Sequence, residues 1–131
     1  ITNFSRDFGL NYQLSESYTT DELRQVLENT SIMYALYNPQ RGNISDGALS
    51  VKMFDAASFG IPSVVNANCL MGELCEEESL GEAVIWNDVS QLRETLLKLR
   101  NHRVNLAKTD APFKQRYITH FNSLIGNKGI V

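Results

Sequence analysis

Residues 47–66 read GALSVKMFDAASFGIPSVVN, and this stretch decides the fold. It is predicted to begin as a helix and to end as a buried strand. Gly60 lies where the helix should stop, because a residue without Cβ can adopt the left-handed conformation just past a helix end. Pro62 follows and forbids further helix. Residues 63–65 are short and apolar, which is typical of a strand buried on both faces of a parallel sheet.

The predicted helix carries one polar stripe on an otherwise apolar surface. Lys52 and Asp55 are spaced i,i+3 and therefore share a face. Most of the other positions are apolar: Leu49, Met53, Phe54, Ala56 and Ala57. We expect this helix to pack into a core and to reach solvent along the stripe.

The composition is that of an ordinary globular domain. The chain has 131 residues, 43% hydrophobic and 21% charged, which suits one domain, residues 1–131. Its net charge of −3 argues against a surface built mainly for nucleic acid. Cys69 and Cys75 make no disulfide framework, so a reduced setting is the default. No segment has the ~20 apolar residues that span a bilayer. The first residue, Ile1, suggests a piece of a longer protein.

Short apolar segments alternate with segments of helical spacing. Strands are predicted at residues 31–37, 63–65 and 82–86, with a further short one at Tyr12–Leu14. This alternation predicts right-handed βαβ units. The expected fold class is therefore α/β, a Rossmann-like three-layer αβα sandwich with a mostly parallel sheet of about four or five strands.

Capping patterns locate the helices. Thr19 with Glu22 is spaced as a capping box, and Asp88 with Gln91 is spaced in the same way. Further helices are predicted at residues 70–77 and, at the C-terminus, 110–126. The apolar stripe of the C-terminal helix consists of Phe113, Tyr117, Phe121 and Leu124.

In an open parallel sheet, ligands bind beyond the carboxyl ends of the strands. Here these ends carry Tyr37, Asn38, Asn66 and Asn87. The polar loop 38–47 follows one of these ends and leads to a helix N-terminus, whose free amides can hold phosphate. This loop and the helix start are therefore the candidate binding site.

Several residues around that helix start suit a nucleotide. Ser50 and Lys52 lie at the start beside Ala48 and Leu49, where a phosphate would meet free amides. Asp55 lies one turn deeper and could accept a hydrogen bond from a ribose hydroxyl. The alternative is that Lys52 and Asp55 form an exposed surface pair and that the loop has no ligand.

Residues 50–65 (SVKMFDAASFGIPSVV) resemble the donor-site motif of retaining glycosyltransferases of GT-B fold, the glycosyl transferases group 1 family. That motif runs from a small residue and Lys, through an aromatic and an acidic residue, to Gly, any residue, Pro and a Val-rich strand. Residues 80–84 (LGEAV) and the Leu-rich helix after Asp88 are similar to the family's downstream pattern. The resemblance covers residues 9–125.

The resemblance implies the C-terminal, nucleotide-sugar-binding half of a two-domain enzyme. It implies that Asp55 binds the ribose and that Lys52, Ser50 and neighbouring amides hold the diphosphate, without a metal or other cofactor. Glu is usual in the family at the position of Asp55, and a second Glu is usual at the position of Gly47. The implied substrate-binding set is Tyr37, Asn38, Ala48, Leu49, Ser50, Lys52, Asp55 and Asn66, with no catalytic residue in this chain.

The function implied by the resemblance is transfer of a sugar to a glycan, lipid-linked or other acceptor, with retention, as in polysaccharide biosynthesis. The implied partners are a nucleoside-diphosphate sugar and an acceptor-binding N-terminal domain, and this chain alone is expected to be inactive. The expected location is the cytoplasm, or the inner face of a membrane as a peripheral part of the full enzyme. The alternative is a non-catalytic, flavodoxin-like binding domain. A dinucleotide-dependent enzyme is disfavoured because no Gly-x-Gly-x-x-Gly is present.

Other conspicuous side chains have simpler interpretations. His102 and His120 have no ligand-like partners nearby in sequence, and the two cysteines lack a metal-binding spacing. Trp86 is predicted to lie in the core. In the resembling family the segment corresponding to residues 68–72 often approaches the donor phosphates, so it is a second candidate for ligand contact.

Overall fold

A computed structural model of the protein describes residues 9–106 together with Gln115, Thr119, Asn122 and Ser123. The predicted C-terminal helix stripe and His120 lie outside the described residues. Helices and strands alternate along residues 20–99. In chain order they are α1 (Thr20–Glu28), β1 (Met33–Ala35), α2 (Val51–Ser58), β2 (Ser63–Asn66), α3 (Leu70–Glu77), β3 (Gly81–Val84) and α4 (Val89–Leu99), with a 3₁₀ turn at Pro39–Arg41.

The sheet is parallel, in the order β1-β2-β3. Met33 pairs with Ser63, and Ser63 pairs with Gly81. The predicted fold class, α/β with a Rossmann-like arrangement, is confirmed. The described residues contain three strands where four or five were predicted, because the segment Tyr12–Leu14 is not a strand.

Both faces of the sheet are packed, as the apolar strands predict. Successive strand residues point to opposite faces. Ala35 and Val65 pack on one face with residues of α2 and α3, among them Met53, Met71 and Cys75. Leu36, Val64 and Val84 pack on the other face with Leu92, Leu96 and Leu99 of α4. The three layers are therefore α1–α3, the sheet and α4, since α1 joins the first face through Leu27 and Ala56.

The turn that ends α2 has the form that the sequence predicts. Gly60 has φ +74°, and its N–H donates to the Ala57 carbonyl at 3.0 Å. The Ile61 N–H donates to the Ala56 carbonyl at 2.9 Å. These two bonds make a Schellman motif, which satisfies the last carbonyls of the helix and directs the chain into β2.

The start of α2 differs from the prediction. The helix begins at Val51, whereas the sequence indicates a start at Gly47. Residues before Val51 instead form turns: the Gly47 N–H donates to the Ile44 carbonyl at 3.3 Å, and the Ala48 N–H donates to the Asn43 carbonyl at 3.0 Å. These turns lie over the end of the sheet and shape the candidate site.

The predicted caps of α1 and α4 are confirmed. Thr19 Oγ1 accepts from the Glu22 N–H, and the Glu22 carboxylate accepts from the Thr19 N–H at 2.7 Å. Hydrogen bonding to the Thr19 backbone N–H, and to a lesser extent to the Thr19 side chain, holds the pKa of the Glu22 carboxyl below its usual value. Asp88 Oδ1 accepts from the Gln91 N–H at 2.9 Å, but the Gln91 side chain accepts from the Ile85 N–H instead of closing the box.

Candidate functional site

A cavity of about 340 Å³ lies at the N-terminus of α2. It is bounded by the end of β1, by the turns that precede α2 and by the first turns of α2 and α3. Because parallel strands end at the same edge, this is the edge where α/β proteins bind ligands. The lining residues are Tyr37, Asn43, Ile44, Ala48, Leu49, Ser50, Val51, Lys52 and Met71.

The start of α2 has no side-chain cap. Ser50 is the N-cap residue, and it makes no side-chain hydrogen bond to the first-turn amides. Its hydroxyl lies 3.3 Å from the Tyr37 hydroxyl instead. The helix therefore presents uncapped amides, with the positive end of its dipole, at the border of the cavity. In α1 and α4, by contrast, the side chains of Thr19 and Asp88 each accept a hydrogen bond from a first-turn N–H.

The charge of the cavity favours an anion. Lys52 is the one cationic side chain among the lining residues, and none of the lining residues is acidic. Lys52 is exposed, so its ammonium can move toward a ligand without breaking a buried contact. The positive helix end and Lys52 act together on whatever occupies the cavity.

Asn66 holds the end of β1 in place. Its Oδ1 accepts from the Tyr37 N–H at 2.8 Å, and its Nδ2 donates to the Tyr37 carbonyl at 2.7 Å. Asn66 is only 1% exposed, so both of these bonds are made away from water. They fix the backbone of Tyr37 and thereby place its ring and hydroxyl beside Ser50.

The structure brings together five of the eight residues that sequence reasoning assigned to substrate binding. Tyr37, Ala48, Leu49, Ser50 and Lys52 all line the cavity. The other three do not line it.

Each of those three has another place in the structure. Asn66 uses both side-chain groups on Tyr37, and Asn38 Oδ1 accepts from the Gln40 N–H at 3.0 Å to cap the 3₁₀ turn. Asp55 is half-buried one turn beyond Lys52, outside the lining set.

Comparison with protein-family models, with curated proteins and with solved structures finds no match for this chain. The resemblance of residues 50–65 to a glycosyltransferase motif therefore remains an expectation from the sequence.

Four lining residues were missed at the sequence level: Asn43, Ile44, Val51 and Met71. Asn43 and Ile44 belong to the loop that was singled out, but nothing local distinguishes them from their neighbours. Met71 falls in the second candidate segment, residues 68–72. Its contribution depends on α3 packing beside α2, which is a long-range feature.

The cysteines show no sign of reactive chemistry. Burial, together with the neighbouring Glu76 and Glu82 carboxylates, raises the pKa of Cys75 to about 12. Cys75 is therefore a protonated core thiol at neutral pH. The Cys69 thiol is partly buried and donates to the Asn66 carbonyl at 3.2 Å.

The described part of the chain offers few features of other site types. Residues 9–106 and the four described residues beyond them contain no group of three or more His, Cys, Asp or Glu that could hold a metal. No helix in this part is long and apolar enough to cross a bilayer. His102 is exposed. Trp86 is 36% exposed, so the prediction that it lies in the core is wrong, because β3 ends at Val84.

Proposed function

We propose that this chain is the donor-binding half of a glycosyltransferase, which holds a nucleoside-diphosphate sugar in the cavity at the start of α2. One observation carries the proposal: an uncapped helix N-terminus borders a cavity in which Lys52 is the only charged side chain. A diphosphate is an anion that suits this arrangement. The sequence resemblance points to the same ligand independently.

In the proposed complex the diphosphate lies against the amides of Val51 and Lys52. The Lys52 ammonium contacts the same phosphates. The Ser50 and Tyr37 hydroxyls can also donate to them, once the hydrogen bond between these two hydroxyls is broken. In sugar transfer, negative charge develops on the leaving diphosphate. Donors that are already oriented toward it stabilise that charge without reorganisation, so the proposal requires no metal.

The remaining parts of the proposal concern the sugar and the acceptor. The enzyme is proposed to transfer a hexose with retention to a glycan, lipid-linked or other acceptor. An acceptor-binding domain outside this chain would close the site, and this chain alone would bind the donor without turnover. The proposed setting is the cytoplasm or the inner face of a membrane.

The first test is a calorimetric titration of the chain with UDP and GDP up to millimolar concentration. We expect binding of at least one of them, and Lys52→Gln should weaken it roughly 10- to 100-fold, because a hydrogen bond to a charged group is worth roughly 1.5–3 kcal/mol. Arg93→Gln is the matched control, since Arg93 is an exposed cation on α4.

Binding that is unaffected by Arg93→Gln but weakened by Lys52→Gln would support the site. If a folded sample binds neither nucleotide, or if both variants lose the same affinity, the proposed site is wrong.

A second test concerns Asp55, which is proposed to accept a hydrogen bond from a ribose hydroxyl. Asp55→Ala should weaken UDP or GDP binding about tenfold and leave pyrophosphate binding unchanged, because pyrophosphate has no ribose. Glu94→Ala on α4 removes the same charge at an exposed position and serves as the control. Equal affinity of wild type and Asp55→Ala for the nucleotide would remove Asp55 from the site.

The alternative function, a non-catalytic flavodoxin-like binding domain, is favoured by one observation. Asp55 lies outside the lining set, and Asn66 and Asn38 have internal partners. A domain of this kind would show no preference between nucleoside diphosphates and simple anions. Comparing UDP, GDP and pyrophosphate therefore separates the two functions.

A further inference from the structure

A second cavity, of about 190 Å³, lies on the face of the sheet that α4 covers. Leu36, Val84 and Leu92 line it, and all three belong to the core cluster on that face. It shares no lining residue with the cavity at the start of α2, to which Met71 contributes from the opposite face. The two cavities are therefore separate, and the proposed function uses only the first.

Two exposed aromatic residues line this second cavity. Tyr34 belongs to β1 and is 54% exposed, while Trp86 belongs to the β3–α4 connection and is 36% exposed. Strands of parallel sheets are ordinarily buried on both faces, so an exposed Tyr34 is unusual. The faces of aromatic rings are electron-rich and attract cations. Tyr34 and Trp86 therefore make the cavity suitable for a cationic group.

The β3–α4 connection is held in place by hydrogen bonds. The Ile85 N–H donates to Gln91 Oε1 at 2.8 Å, and the Asp88 N–H donates to the Ile85 carbonyl at 3.1 Å. Asn87 has φ +67°, a conformation that asparagine adopts more readily than most residues. These features fix the backbone of Trp86 and Asp88 before any ligand binds.

The charge of the second cavity also favours a cation. Asp88 is the one charged residue among the described residues that line it. Its Oδ1 accepts from the Gln91 N–H at 2.9 Å, and the carboxylate has further acceptor sites. The positive end of the α4 dipole amounts to about half an elementary charge, so it offsets only part of the charge of Asp88.

The small number of acceptors in the cavity selects among cations. An ammonium group has three N–H donors and a guanidinium has five, and each donor needs an acceptor once it leaves water. Among the described lining residues only Tyr34, Asn87 and Asp88 have side-chain oxygens. A trimethylammonium group has no N–H to satisfy, and aromatic residues are its usual partners in proteins.

We propose that this second cavity binds the trimethylammonium group of a small molecule. Tyr34 and Trp86 contact the methyl groups, and the Asp88 carboxylate balances the charge. A cavity of about 190 Å³ is smaller than the roughly 300–1,000 Å³ of sites for drug-sized ligands, so it suits one small head group. Binding here is independent of the nucleotide proposed for the start of α2.

The first test is a titration of the chain with choline at constant ionic strength, followed by the fluorescence of Trp86, the only tryptophan. We expect a saturable change at millimolar choline. The neutral analogue 3,3-dimethyl-1-butanol has nearly the same shape and should bind about fivefold more weakly, because it lacks the charge. Methylammonium should also bind more weakly than choline, because its N–H donors lack acceptors in the cavity.

Three results of this titration would overturn the proposal. They are the absence of a saturable change, equal affinity for choline and the neutral analogue, and tighter binding of methylammonium. The last result would assign the cavity to a primary ammonium, such as a lysine side chain of a partner.

Two variants with matched controls locate the site. Asp88→Asn removes the charge but keeps the cap of α4, because asparagine is an equally good N-cap. It should weaken choline binding about fivefold, whereas Asp21→Asn in the first turn of α1 should not. Tyr34→Leu should also weaken choline binding about fivefold, whereas Tyr12→Leu, at a similarly exposed position outside the cavity, should not. Circular dichroism confirms that each variant is folded, and unchanged choline affinity in Asp88→Asn or in Tyr34→Leu would contradict the proposal.

Discussion

Replacing Gly81 by alanine is expected to cost about 3 kcal/mol or more of folding free energy, which corresponds to roughly 10 °C in Tm. Gly81 begins β3 and pairs with Ser63 in the centre of the sheet. A Cβ at Gly81 would lie 2.6 Å from the Ser63 nitrogen and 2.7 Å from its carbonyl carbon, and it would overlap the Ser63 carbonyl oxygen. These are backbone atoms, so no side-chain rotation can relieve the overlap. Thermal and urea unfolding measure the effect.

The control for this prediction is Gly42→Ala. Gly42 has φ +81°, but a Cβ there meets nothing within 4 Å. At φ +81° and ψ −47° an alanine is strained but overlaps no atom, so this substitution should cost less than Gly81→Ala, about 1–3 kcal/mol. If Gly81→Ala is no more destabilising than Gly42→Ala, then β3 does not approach β2 as closely as the structure shows.

Asn66→Ala is expected to destabilise the fold by about 2–4 kcal/mol, because it leaves the Tyr37 N–H and carbonyl without partners in a partly buried position. Asn66 is the residue through which β2 holds the end of β1. Its loss should also free Tyr37 from its place beside Ser50. Nucleotide binding should therefore weaken in this variant even where the chain remains folded.

The stability of Asn66→Asp should depend on pH, and this dependence tests whether the bond to the Tyr37 carbonyl stabilises the fold. An ionised carboxylate can accept from the Tyr37 N–H, but it cannot donate to the Tyr37 carbonyl. Burial and the lost bond would raise the pKa of the new carboxyl above its unfolded value of about 3.9. Below that unfolded pKa the carboxyl is protonated in both states, and the variant has its full stability. As pH rises through the raised folded pKa, the variant loses stability relative to wild type.

Urea unfolding at pH 4 and pH 7 measures this difference. Asn38→Asp is the matched control, because Asn38 only accepts a bond, from the Gln40 N–H, and a carboxylate can do the same. We expect Asn38→Asp to have nearly the stability of wild type at both pH values. A difference between wild type and Asn66→Asp that does not change with pH would contradict the two-bond arrangement.

Features set by neighbouring residues were predictable from the sequence. The Schellman turn at Gly60, the capping box at Thr19 and the bounds of α3 all agree with the structure. Each depends on residues within one or two turns of one another. The strands around Tyr34 and Val64 were placed correctly, although β1 is shorter than predicted.

Features that join distant segments were not predictable. Asn66 was assigned to ligand binding, yet its partner is Tyr37, 29 residues earlier. The i,i+3 spacing places Asp55 and Lys52 on one helix face, but of the two only Lys52 lines the cavity. Lys98 on α4 forms an ion pair with Glu82 on β3, which lies 16 residues earlier. In each case, packing of α2, α3 or α4 against the sheet decides which polar group is within reach.

The amino-acid sequence by itself determined the alternation of strand and helix and the turn from α2 into β2, because these follow from side-chain periodicity and from Gly60 and Pro62. Only the tertiary structure decided which side chains share the cavity, since its walls come from three segments that meet at the end of the sheet. It also decided the order of the three strands in the described residues, because strand order depends on how the crossovers pack, and no local pattern specifies that.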